Sequence, residues 1–147
     1  MADADLERAL SAVNQARRTG AGSPASDAEL SLESGFGCSR KLAIYGSLAP
    51  GASNHHQIAD LRGTWEYGSV KGRKHDRGWG AGAGFPGLEL LPQGGEVAVM
   101  LLLSDDLPGA WTRLDAFEGS DYRRVLAPVS RDGTVFAVAN IYELRLE

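Results

Sequence analysis

Ten of the chain's 19 glycines fall between Gly63 and Gly95. A glycine in a helix interior costs about 1 kcal/mol relative to alanine, so no long helix runs through this stretch. The glycines keep no G-x-y period, which excludes a collagen-like rod. Strand, turn and loop remain. The run GWGAGAGFPG asks for sharp backbone bending. Trp79 and Phe85 are its aromatic residues.

The rest is ordinary globular sequence. Its 147 residues are 43% hydrophobic and 23% charged, enough for one domain with a core. Net charge is −4, and neither the N-terminal 40 residues (six acids, four bases) nor the remainder (13 acids, 11 bases) is basic. No electrostatic nucleic-acid partner is expected. The local run Lys71, Arg73, Lys74, His75, Arg77 reads as an exposed strand face, with an anionic-ligand site as the alternative. Cys38 has no second thiol to pair with and reads as inert beside Gly35 and Gly37. The start MADADLERAL has acids where a signal peptide needs positive charge. The longest apolar run, Val97 to Leu103, is far short of a membrane span. The expectation is a soluble, cytoplasmic chain with no membrane partner.

Leu6, Leu10 and Val13 share one helical face, which predicts a helix over 3–18. Residues 19–39, rich in Gly, Ser, Ala and Pro, read as a linker or loose arm. The chain therefore divides into residues 1–40, a helix and flexible arm, and a domain over 41–147. Removing residues 1–38 is expected to leave that domain folded. KLAIY is a short strand, and residues 54–61 a helical turn or two with Asn54 as N-cap. Strands follow over Thr64–Val70 and Glu96–Leu103. Leu107, Trp111, Leu114 and Phe117 form an apolar stripe on a helix over 105–118, with Pro108 in its first turn and Gly119 as its stop. Two strands, Arg123–Ser130 and Thr134–Leu144, flank Asp132-Gly133, a hairpin signal. The sum is an α+β domain around a small closed or nearly closed sheet.

Three places could carry chemistry. In YGSLAPG (Tyr45 to Gly51) a strand enters a turn that can aim successive backbone N–H groups into one concavity, an anion or oxyanion site. It matches neither a Walker loop nor a nucleophile elbow, and an ordinary strand-end turn is the plainer reading. Glu118 ends a helix beside the core-facing Phe117. The negative helix terminus and partial burial would raise its pKa and suit it to proton transfer near neutral pH. The alternative is a surface glutamate paired with Arg123. His55 and His56 are adjacent and His75 is alone, so no metal site is expected. A Ser47–His55–Asp triad is conceivable but not required by the spacing.

Together YGSLAPG with SNHH (45–56), GWGAGAGFPGLEL (78–90), LDAFEGSDYRRV (114–125) and the late Ile141-Tyr142 resemble the γ-glutamylcyclotransferase-like, or AIG2-like, family. The resemblance covers residues 41–147. It implies a small mixed β-barrel with flanking short helices and cyclisation of a γ-glutamyl compound to 5-oxoproline with release of an amine. It places the general acid/base at Glu118 and substrate-binding residues at Tyr45, Gly46, Ser47, Leu48, Tyr122 and Tyr142. No metal or cofactor is implied, and the partner is a small γ-glutamyl substrate. Two departures bear on substrate identity: Ala98-Val99-Met100 where a Gly is common, and His75 where an apolar or aromatic residue is common. Other readings are removal of a γ-glutamyl cap from a metabolite, and a non-catalytic binding domain of the same fold.

Overall fold

The computed structural model describes residues 3–20, 26–76 and 87–146. Trp79, Phe85 and the glycines between 78 and 84 lie outside the described residues. The elements are α1 (Asp3–Thr19), α2 (Asp27–Phe36), β1 (Lys41–Ile44), β2 (Thr64–His75), β3 (Gly87–Leu90), β4 (Gly95–Leu103), α3 (Trp111–Glu118), β5 (Tyr122–Arg131) and β6 (Thr134–Leu144).

The strands run in the order β3-β2-β4-β1-β6-β5, and β5 returns to pair with β2. Five strands therefore close a barrel, with β3 added along β2. All pairings are antiparallel except β1–β6. The seam is a single bridge, Ser69 to Ser130. Gly68 lets it close: a Cβ there would lie 2.6 Å from Val129 Cγ1 and 3.2 Å from the Ser130 carbonyl oxygen. The glycine-rich middle is thus not all loop. β2 continues through Gly72 to His75 and meets β3 in register from Gly72↔Leu90 to His75↔Gly87.

Strand alternation sorts the apolar residues onto two faces. Ala43, Val70, Val99, Leu101, Val125, Ala127, Ala139 and Ile141 fill the barrel. Leu42, Ile44, Leu102, Tyr122, Tyr142 and Leu144 point outward and share a second cluster with Leu48, Leu107 and Leu114. Leu126 and Val138 form a third cluster with Leu6, Leu10, Val13 and Leu32 of the N-terminal helices.

The N-terminal segment is not a loose arm over 27–36. Ser26 caps α2, accepting from the Glu29 N–H at 3.2 Å, and Leu32 is wholly buried. Capping at Ser26 and burial of Leu32 against the barrel outweigh the weak helix propensity around them. Asn14 of α1 binds the open edge of β5, donating Nδ2 to the Leu126 carbonyl at 2.7 Å and accepting the Leu126 N–H at 2.8 Å. Arg18 clasps the Glu143 carboxylate with two bonds of 2.8 Å.

Two other elements are shorter than expected. Residues 107–109 form a 3-10 turn and α3 begins at Trp111, because the Pro108-Gly109 pair interrupts the longer helix. Residues 55–57 form one 3-10 turn, and Asn54 makes no side-chain cap bond. Asp132 (φ +52°) and Gly133 (φ +78°) make the expected hairpin turn. Lys71, Arg73 and Lys74 are exposed on β2, while His75 pairs with Glu89 across the strands at 2.9 Å. None of the described helices is long and apolar enough to cross a membrane.

Candidate active site

β1 carries the chain out of the barrel at Tyr45, one residue after buried Ile44. The Tyr45 side chain packs against the barrel interior. Its hydroxyl donates to the Tyr142 carbonyl at 2.6 Å and accepts the Leu88 N–H at 3.2 Å, so one phenol joins β1, β6 and β3. Burial holds this phenol far above its ordinary pKa. The Leu88 N–H opposes that rise, and the charges of Glu118 and Glu143 add to it.

The turn after Tyr45 consumes its own carbonyls. Gly46 O accepts from the Ala49 N–H at 3.1 Å, and Ser47 O from the Asn54 N–H at 2.8 Å. Leu48 O accepts Nδ1–H of His55 at 2.9 Å. None of these bonds uses the N–H of Gly46, Ser47 or Leu48. His55 stacks obliquely on Trp65 with ring centroids 5.8 Å apart. His55 therefore closes the turn through a backbone bond; the structure gives no Ser47–His55 hydrogen bond.

α3 brings Glu118 toward the same region. Leu114 is fully buried in the cluster that holds Leu48, and Phe117 packs against it. The helix ends at Gly119, whose φ of +77° is strained for any residue with a side chain. Glu118 borders an open cavity of about 370 Å³, shared among the described residues with Phe117, Gly119, Ser120 and Asp121. Its carboxyl is half-buried, and burial first, then the Asp115 charge, raise its pKa to about 7. Asp115 lies one turn earlier on the helix, close enough to act.

Tyr142 and Tyr122 are buried beside this helix. The Tyr142 hydroxyl donates to Asp115 Oδ1 at 2.6 Å, so Tyr142 addresses α3 through Asp115. Tyr122 and Tyr142 line a different cavity from the one beside Glu118. Leu48 of the turn shares one apolar cluster with Phe117, Tyr122 and Tyr142, and the Glu118 charge reaches Tyr45, but among the described residues neither Tyr45 nor the 46–48 turn lines the cavity beside Glu118.

Three participants escaped the sequence reading. Asp115 tunes Glu118, and its i,i+3 spacing in L-D-A-F-E was the available signal. Glu143 is 6% exposed at its side chain and held by Arg18 and Arg123, the latter at 3.3 Å. Asn140, 1% exposed, has no sequence-local signal. Cys38 is 4% exposed, and burial pushes its thiol up to about 11. That suits an inert side chain and not a nucleophile. No group of three or more potential metal ligands occurs among the described residues.

A closed five-stranded barrel with short flanking helices, one of them ending in a half-buried glutamate, defines a class of small barrel proteins. The chain belongs to the gamma-glutamyl cyclotransferase, AIG2-like family, whose model matches residues 42–146. Among solved structures it is similar to YkqA from Bacillus subtilis, with 23% identity and a TM-score of 0.55, over 72% of this chain and 36% of that one. It is also similar to an AIG2-like protein from Mus musculus, with 21% identity and a TM-score of 0.54, over 74% of this chain and 78% of that one. These likenesses are of fold. The chain spans only 36% of the length of YkqA. No curated protein sequence matches the chain significantly.

Proposed function

We propose that the protein cyclises a γ-glutamyl amine or γ-glutamyl amino acid to 5-oxoproline, releasing the amine, with Glu118 as general acid/base. The observation that carries this reading is the placement of the half-buried Glu118 on a helix whose core face shares a cluster with Leu48 of the YGSL turn. The family match supports the general kind of reaction.

In this mechanism the substrate's α-ammonium loses a proton to the Glu118 carboxylate. The freed amine attacks the γ-carbonyl carbon, closing a five-membered ring. Because the attack is intramolecular, orientation supplies much of the acceleration. The N–H groups of Gly46, Ser47 and Leu48 bind the α-carboxylate or the developing oxyanion. Protonated Glu118 then gives its proton to the departing nitrogen as the C–N bond breaks, and the carboxylate so restored takes the second proton of the ring nitrogen, which leaves with the released amine as its ammonium. A carboxyl with a pKa of about 7 performs these transfers near neutral pH. Tyr45 fixes the start of the turn through its bonds to Tyr142 and Leu88. No step requires a metal or cofactor.

The test is release of 5-oxoproline from a panel of γ-glutamyl amines and amino acids. Glu118→Gln should lower turnover by about 10²–10⁴-fold while leaving substrate binding largely intact. A wild-type protein that binds these compounds yet turns over none of them would make the domain a binding module. Equal turnover by wild type and Glu118→Gln would remove Glu118 from the mechanism.

A further inference from the structure

A second cavity, of about 580 Å³, lies between the N-terminal helices, α3 and the outer face of β5 and β6. Of the described residues lining it, only Gly119 is shared with the Glu118 cavity. Its volume falls in the range of small-molecule sites. Its lining holds four arginines against three carboxylates.

The arrangement of two of those arginines is specific. Arg17 of α1 donates to Oδ1 of the buried Asn140 at 2.8 Å, and Arg124 of β5 donates to the same oxygen at 3.0 Å. Two guanidiniums from separate elements therefore converge on one neutral acceptor. Asn140 is itself fixed, donating Nδ2 to the Cys38 carbonyl at 2.8 Å. The Arg124 guanidinium lies 4.4 Å over the Trp111 ring, which sets its plane. Each arginine also holds one carboxylate, Arg17 with Glu29 at 2.6 Å and Arg124 with Asp115 at 2.9 Å. A guanidinium has five N–H donors. Arg17 spends two and Arg124 three in these bonds.

The geometry points to a second ligand site in this cleft, for a small anion or the carboxylate or phosphate group of a small molecule, with Arg17 and Arg124 as receptors anchored on Asn140. A planar guanidinium pair suits the paired oxygens of either group. Because Arg17 belongs to α1 and Arg124 to β5, occupancy also fastens the N-terminal helix to the barrel. The proposal is independent of the reaction at Glu118.

The test is thermal unfolding and titration calorimetry of the full chain with sodium phosphate, and separately sodium acetate, at ionic strength held constant with sodium chloride. A site gives a saturating calorimetric isotherm and raises Tm with the logarithm of free anion, by about 5–10 °C at a hundredfold excess over Kd. The stronger of the two salts identifies the anionic group. Arg17→Gln and Arg124→Gln should each weaken binding at least tenfold, and Arg73→Gln on the exposed face of β2 should not. If those variants fail to fold, a phosphate-dependent change in wild-type tryptophan emission that disappears in Trp111→Phe supports the site. Neither anion shifting Tm beyond chloride, an equal response in all variants, or an emission change that persists in Trp111→Phe overturns it.

Discussion

The side-chain amide of Asn14 pairs with the main chain of Leu126 as a neighbouring strand would, giving one bond and taking one, at 2.7 and 2.8 Å. It does so where β5 has no strand on its outer edge. A helix thereby completes the hydrogen bonding of a barrel strand.

Asn14→Leu keeps the branching at Cγ, with bulkier methyl groups, but leaves the Leu126 N–H and carbonyl unpaired in a buried site. Each unpaired group costs about 1–3 kcal/mol, partly offset by relaxation. Denaturant unfolding should show a clear fall in stability, with faster amide exchange at Leu126. Unchanged exchange there would mean that the amide pairing contributes nothing.

Gly68→Ala inserts a methyl 2.6 Å from Val129 Cγ1 at the barrel seam. Overpacking of this kind costs about 1–3 kcal/mol. Val129→Ala in the same chain should recover part of the loss, because it removes the closest atom. Strictly additive effects in the double-mutant cycle would place the strain elsewhere.

Stability should depend on pH through Glu118. Its pKa rises from 4.5 to about 7 on folding, so between those values the native chain binds more protons than the unfolded one. Its contribution to stability is then fully present below about pH 4.5, falls as pH rises, and levels off above pH 7. Glu118→Gln removes this slope. The variant should therefore have its largest Tm advantage over wild type above pH 7 and lose it toward pH 4.5. Parallel Tm profiles for the two proteins would contradict the shift.

Asp115 raises the pKa of Glu118, so Asp115→Asn should lower it. If Glu118 is the base, the rising limb of kcat/KM, near pH 7 in wild type, should move to lower pH in this variant. An unmoved limb would assign it to another group. A fall in rate without a change of limb would report instead the loss of the bonds from Asp115 to Arg124 and Tyr142.

What could be read from the sequence was local. The α1 stripe of Leu6, Leu10 and Val13, the Asp132-Gly133 turn and the helix carrying Leu114 are encoded over a few residues. The grouping of YGSL with FEG as one site came only from a family pattern. The path of β2 past Gly72, the added strand β3 and the seam at Gly68 depend on backbones meeting across long stretches of chain, and glycine content there reads equally as loop. The helix α2 had a signal in Ser26 and Glu29, an S-x-x-E box, obscured by its glycine- and serine-rich surroundings. Asn14, four residues after Leu10, sat on the buried face as a polar exception whose purpose appears only once β5 lies beneath it. Arg17, Arg124 and Asn140 meet only after folding.

The pairing of Asn14 with Leu126, and the burial of Val138 under Leu6, Leu10 and Leu32, separate two kinds of boundary. The family pattern begins at residue 42, yet the contacts that cover Leu126 and Val138 begin in α1. A fragment cut at the family boundary would carry a sticky flank: an apolar patch beside a strand edge offering unpaired N–H and carbonyl groups. Such an edge recruits another strand, and the most abundant one in solution is its own copy. In the full chain α1 covers both the patch and the strand edge that such a fragment would expose.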